Sequence, residues 1–192
     1  YISLGHIDQN SLYRSNNHWM KRTTFRLAES ANIKALGLQV NAALDGYRQH
    51  QEHPYTSTSS SYFNVFSHIN DKSPMIPGVN SLGLPYNVTD NPVAETASDA
   101  GYQRSIVNVI NGKGELVWSC LWVDGLKVRL ASNYRYYGET YKNWRKDAAQ
   151  YDWDSDVAQY ANKPQLSHTS GTGYSYTNQA FLEYANTFGQ HN

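Results

Sequence analysis

Residues 102–133, YQRSIVNVINGKGELVWSCLWVDGLKVRLASN, hold three runs rich in Val, Ile, Leu and Trp, separated by Asn111-Gly112-Lys113-Gly114 and by Asp124-Gly125. Asp-Gly between β-rich runs is the strongest short hairpin signal, because a type I′ turn needs positive φ at both central residues. The stretch therefore predicts a three-stranded antiparallel meander. A two-residue loop at Asp124-Gly125 sets Val123 against Leu126, Leu121 against Val128, Ser119 against Leu130 and Cys120 against Arg129. Side chains alternate with period two. One expected face then carries Ile106, Ile110, Val117, Leu121, Val123, Leu126, Val128 and Leu130 as a core. The other carries Ser105, Val107, Val109, Leu116, Trp118, Cys120 and Trp122, with Lys127 and Arg129 on the last strand. The whole assignment hangs on register, since a one-residue slip exchanges the faces.

Outward from the meander, Ile33, Leu36, Val40, Ala43, Leu44 and Tyr47 fall on one helical stripe. Asn32 serves as a candidate N-cap and Pro54 as the stop, which predicts a helix near 32–52 covering the core face. Residues 55–61 read as a polar linker, and Tyr62–Ile69 as a short apolar run of either strand or helix. Pro74, Pro77, Gly78, Gly83, Pro85 and Pro92 make 73–101 a long irregular connection, the kind of loop that walls a site. Tyr136–Tyr151 and Thr177–Phe188 read as further helices, the second with Ala180, Phe181, Tyr184 and Phe188 on its stripe. The expected fold is α+β: an antiparallel β-meander at about 102–133 with at least three strands, packed against the helix near 32–52 and C-terminal helices. Residues 1–192 form one globular domain in this reading.

Composition narrows the function classes. The 192 residues carry sixteen acidic side chains against sixteen Lys and Arg. That balance leaves no electrostatic footprint for nucleic acid or an anionic membrane. No apolar run approaches the ~18 residues of a helical membrane span, so no membrane span is expected. A single cysteine excludes an internal disulfide. The first residue is Tyr1 rather than Met, which suggests a processed or truncated chain. Abundant Tyr, Asn, Ser and Thr with few Lys and Glu give the texture of exported bacterial proteins, and a secreted or cell-surface location is the expectation. Asn87-Val88-Thr89 fits a glycosylation acceptor.

Several constellations bear on chemistry. Trp118 and Trp122 with Lys127 and Arg129 on one sheet face suit a glycan or peptide, aromatic rings stacking and cations anchoring. Tyr134, Tyr136 and Tyr137 follow just beyond. A secreted or cell-surface, non-catalytic binding domain is the leading expectation, with no cofactor and no metal. The alternative is a cysteine-dependent cell-wall or peptide hydrolase or transpeptidase. In the expected register Cys120 faces Arg129, whose charge would favour a thiolate. That arrangement resembles the Cys and Arg of sortases, although Leu116-Val117-Trp118-Ser119-Cys120 lacks both Thr residues of the family's strand end. The resemblance implies a histidine, for which His68 or His53 is available. Leu12-Tyr13-Arg14-Ser15 followed by Tyr55-Thr56-Ser57-Thr58-Ser59 resembles the Arg and Ser-Thr-Ser motifs of ADP-ribosyltransferase toxins, but the Glu-x-Glu or Gln-x-Glu of that family is missing. Asp152-Trp153-Asp154-Ser155-Asp156 opens like an EF-hand loop, yet Val157 replaces its turning Gly and Lys163 its last Glu, so a helix start is expected. His50 and His53, at i and i+3, are explained by the C-terminus of the expected helix.

Overall fold

The computed structural model describes residues 1–13, 15, 17–55, 61–160 and 163–186. Six strands form one sheet in chain order, each antiparallel to its neighbour. They are β1 (Ile2–Asn10), β2 (Trp19–Ile33), β3 (Leu38–Pro54), β4 (Tyr102–Ser119), β5 (Leu126–Arg145) and β6 (Gln165–Tyr184). Helix makes up 8% of the chain, and α1 (Ser61–Asp71) is the one helix of seven or more residues among the described residues. The second, α2 (Pro92–Glu95), is a single turn.

The α+β expectation is overturned. The helix expected near 32–52 is β3, and the helices expected at Tyr136–Tyr151 and Thr177–Phe188 are largely β5 and β6; Thr187 and Phe188 lie outside the described residues. In each case two periods compete in one segment. Leu38-Gln39-Val40-Asn41-Ala42-Ala43-Leu44-Asp45 largely alternates apolar and polar residues, and the expected helical stripe shares only Val40 and Leu44 with its apolar face. Tyr174-Ser175-Tyr176-Thr177 repeats the same alternation in β6.

The first turn of the meander is also absent. β4 runs unbroken through Asn111-Gly112-Lys113-Gly114, with Gly112 between Leu44 and Tyr134 and Gly114 between Ala42 and Ser132. Neither glycine takes the positive φ that a type I′ turn needs, whereas Gly125 does, at 82°. The second hairpin exists with a longer loop, residues 120–125, so Ser119 pairs with Lys127 rather than Leu130. The slip is three residues. Being odd, it exchanges the faces of β5 relative to β4.

The two ends of the sheet differ. At one end the connections are tight: a 3-10 turn at Lys34–Leu36 closed by Gly37 at φ 64°, and residues 120–125. At the other lie residues 11–18, 55–101 and 146–164. Residues 78–91 and 150–159 of these connections are knitted into a cap by the bridges Val79–Pro85, Tyr86–Tyr151 and Gln150–Gln159. Asn80 is 4% exposed and organises this cap: its amide donates to the carbonyls of Asp152 and Ser155, while its oxygen accepts from the Leu82 and Leu84 amides. The segment from Asp152 to Asp156 is therefore a loop rather than the expected helix start. Its Asp152 carboxylate accepts from Asn87 at 3.3 Å and Gln159 at 2.6 Å.

The sheet has almost no core. Among the described residues the buried hydrophobic ones are Val65, Ala94, Val109, Ala148 and Ala149, of which Val109 alone lies on a strand. A chain of this length normally buries about two thirds of its unfolded surface. Among the described residues α1 packs on β3 at the cap end, and no second layer covers the rest of the strands.

Candidate functional site

Because directly paired residues share a face, the registers define rows that cross the sheet. On one face, Leu4, Phe25, Gly46, Ile110, Tyr136 and Tyr174 form a row, and Ile2, Leu27, Leu44, Gly112, Tyr134 and Tyr176 the next. Further toward the tight turns lie Ala31, Val40, Leu116, Leu130 and Ala180, then Ile33, Leu38, Trp118, Val128 and Leu182. These side chains face outward: Leu4 is 79% exposed, Leu182 73% and Tyr174 76%. One row between them is small and polar, with Glu29, Ala42, Gly114, Ser132 and Asn178. Two of its groups satisfy each other, Ser132 Oγ donating to Asn178 Oδ1 at 2.8 Å. Glu29 stands 4.0 Å from the amino group of Tyr1.

The opposite face alternates with this one and is polar. Ser3, Arg26, Asp45, Asn111, Arg135 and Ser175 make one row. A cross-strand network follows: Ser30 donates to Asn41 (2.7 Å), Asn41 to Glu115 (2.9 Å), and Arg129 reaches Glu115 (3.5 Å) and Glu183 (3.9 Å). Asn111 donates to Asp45 at 2.8 Å. Nearer the cap, the Arg22 guanidinium lies 4.0 Å from the Tyr47 ring centroid. Tyr137 donates to Glu139 at 2.6 Å, and the same carboxylate pushes Tyr141 up to about 12 by its hydrogen bond and charge, with burial adding to it.

Aromatic residues rim the apolar band. Tyr134, Tyr136, Tyr174 and Tyr176 stand at its cap side; Trp118, Trp122 and Tyr184 stand at its turn side. The Trp118 and Trp122 rings meet edge to face at 6.3 Å, and Trp122 is 84% exposed. From Tyr136 to Leu126 on β5 the band is ten residue steps, ~34 Å along the strand or ~26 Å tall at a ~40° tilt, crossed by the polar row of Glu29, Ser132 and Asn178. It is six strands, ~24 Å, wide toward the cap and five strands or fewer toward the tight turns, giving an area on the order of 800 Å². Ordinary monomers rarely expose apolar patches of that size.

The residues singled out from sequence are divided by the register. Trp118 pairs with Val128, whereas Arg129 pairs with Val117 and Lys127 with Ser119. Trp118 is therefore on the apolar face, and Lys127 and Arg129 are on the polar one. Cys120 is half-buried, its amide donating to the Leu126 carbonyl at 2.9 Å, and it does not face Arg129. His68 sits on α1 in the cap, where both Glu95 oxygens lie 2.9–3.0 Å from its Nδ1. Cys120 follows the far end of the 18-residue β4, so ~60 Å of strand separates it from the cap end. The cysteine, arginine and histidine do not meet. His50 and His53 project from opposite faces of β3, being three residues apart on a strand. Arg14 and residues 56–59 of the transferase-like motifs lie outside the described residues.

The sequence reading missed two polar clusters. His68, Asp90 and Glu95 bring their ligand atoms within 4.8 Å of one another. Burial pushes the Glu95 carboxyl up, and the His68 hydrogen bond opposes that shift. Asp90 and Glu95 line a cavity of about 550 Å³ together with Asn87, Lys146, Asp147 and Gln159. In the second cluster the His18 and His53 rings meet at 4.7 Å. Burial, then the neighbouring His53, lowers His18 to about 4, and burial also holds His53 below the ordinary histidine range. No sequence spacing announces either cluster, because each joins residues far apart in the chain. Among the described residues, no helix is long and apolar enough to cross a membrane. No known protein family, curated protein or solved structure matches this chain.

Proposed function

We propose that the sheet is part of the wall of a membrane-spanning antiparallel β-barrel, with its apolar face toward lipid and its polar face toward a water-filled interior. The single observation that carries this reading is the uncovered apolar face, ~26 Å tall and rimmed by aromatic residues, on strands that alternate apolar and polar side chains. Three features support it. Strand lengths from 15 to 20 residues in β2 through β6 exceed the ~9–11 that a tilted strand needs to cross the hydrocarbon. Tight turns stand at one end and long connections at the other, the asymmetry of outer-membrane barrels. A bilayer also removes the need for a protein core, since lipid covers the face that a second layer would otherwise bury.

In this reading the six strands are a section of the wall, and strands paired to the free edges of β1 and β6 complete the closure. The cap then faces the outside of the cell, a surface location. The pair Trp118 and Trp122 favours a second reading, a non-catalytic surface domain that binds a glycan or peptide on those rings. Lys127 and Arg129 take no part in that site. Flotation with zwitterionic phosphatidylcholine vesicles decides between them. The barrel reading expects the chain to float with the vesicles and to resist a carbonate wash. A chain that stays in the aqueous fraction, yet is retarded by an immobilised glycan, would favour the second reading.

A further inference from the structure

Just beyond the tyrosine rim, on the same face as the apolar band and toward the cap, the side chains become basic. Arg48 follows Gly46 on β3, and the next two rows carry Lys21 and His50, then Arg104 and Lys142. These positions begin two residue steps above Tyr136, ~7 Å along the strand, and extend to six steps, ~20 Å. At a ~40° tilt that is ~5–15 Å above the rim, the depth of the headgroup layer. Two of the cations have carboxylate partners, Lys21 with Asp8 at 3.3 Å and Arg104 with Glu52 at 2.5 Å. Arg48 and Lys142 have none within ion-pair distance among the described residues. Lys142 and Arg104 lie over the Tyr102 ring at 5.9 and 4.8 Å, and Lys21 over Trp19 at 5.9 Å.

The field of this cluster is felt at its centre. His50 is held below the ordinary histidine range by burial, then by Arg104 and Arg48, with Lys21 adding and Glu52 opposing. The corresponding rows on the opposite face hold no such excess: Arg22 is offset there by Glu139. In these rows the excess of positive charge lies on the side that continues the apolar band.

We propose that this basic collar binds the phosphorylated headgroup of an anionic lipid in the leaflet next to the cap. The inference rests on the membrane reading above. The apolar band holds the acyl chains, Tyr134, Tyr136 and Tyr174 mark the interface, and Arg48 and Lys142 supply charges with no internal partner for the phosphate. Continuity of band, rim and collar on one face is what selects a lipid over a soluble phosphate compound.

The test compares flotation of the chain with pure phosphatidylcholine vesicles and with vesicles containing phosphatidylglycerol, at low ionic strength. The wild-type chain is expected to bind both and to prefer the anionic vesicles. The triple variant K21Q/R48Q/K142Q should bind phosphatidylcholine as before and lose the preference, by about fivefold per cation removed. Arg104 stays intact because it neutralises the buried Glu52. Equal binding of the wild-type chain to both vesicles overturns the lipid proposal and leaves the membrane reading standing. Failure to bind either vesicle overturns the membrane reading itself. A preference abolished by inorganic phosphate, but not by chloride at equal ionic strength, identifies a plain phosphate site and overturns the lipid assignment.

Discussion

Trp118 lies directly across from Val128, so Arg129 leaves the sheet on the other side, opposite Val117 and within reach of Glu115 and Glu183. The two faces of β5 should therefore respond differently to charge. Leu130→Arg places a guanidinium in the apolar band and is expected to cost ~2–4 kcal/mol in a bilayer, while Ala131→Arg on the polar face costs little. Guanidinium unfolding of both variants in phosphatidylcholine vesicles measures the difference. Equal midpoints would contradict the assignment of faces.

Gly46 and Phe25 form a second cross-strand relationship. A Cβ on Gly46 would lie 2.3 Å from the Val109 carbonyl oxygen and 2.9 Å from the Phe25 ring. Gly46→Ala is expected to destabilise the chain by ~1–3 kcal/mol, because the ring and the strand must both shift. Gly114→Ala, whose Cβ meets nothing within 4 Å, serves as the control and should be nearly silent. Denaturant midpoints of the pair check this.

The cap hangs on buried amides. Asn91, 1% exposed, accepts from the Val93 amide at the start of α2 and donates to the carbonyls of Gly78 and Tyr86 at 2.9 and 2.7 Å. Asn91→Ala removes the cap of α2 and the second donor to each carbonyl, leaving Gly78 only the Tyr86 amide and Tyr86 only the Val88 amide, and should cost ~1–2 kcal/mol locally. The expected readout is faster proteolysis within 78–101 with the strands unaffected. Unchanged cleavage would show that the cap does not depend on this side chain.

Acid should weaken the cap end of the sheet. The folded chain holds His18 at about 4, below its ordinary value of 6.5, so the unfolded chain takes up the proton first. The stability that neutral His18 contributes is complete above about 6.5 and is lost as pH falls toward about 4. His53 shifts in the same direction. The thermal midpoint should drop between pH 7 and pH 4, and His18→Phe should shrink that drop. A variant with an unchanged pH profile would contradict this origin.

Sequence alone revealed part of this molecule. Val, Ile, Leu and Trp around 102–130 declared strands, and Gly125 declared a turn, because both signals are local. Gly112 and Gly114 misled, since a glycine within a strand looks like a turn residue until its φ is known. The stripe at Ile33, Leu36, Val40 and Ala43 misled more deeply: the helix reading assumed that the chain must bury its apolar residues within itself. Once a sheet face is free to stay uncovered, plain alternation explains β3, β5 and β6. The grouping of Trp118 with Arg129 failed for a related reason. Register depends on loop length, and a loop of six residues in place of two moved the pairing by three.

Accessibility along β5 separates a lipid-facing sheet from one bathed in water on both sides. In a Cys120→Ser background, single cysteines at 128, 129, 130, 131, 133 and 134 are probed in vesicles with a membrane-impermeant maleimide. Period-two labelling is expected: positions 129, 131 and 133 react, while 128, 130 and 134 stay protected until detergent is added. Uniform labelling of both sets without detergent would contradict a lipid-facing sheet.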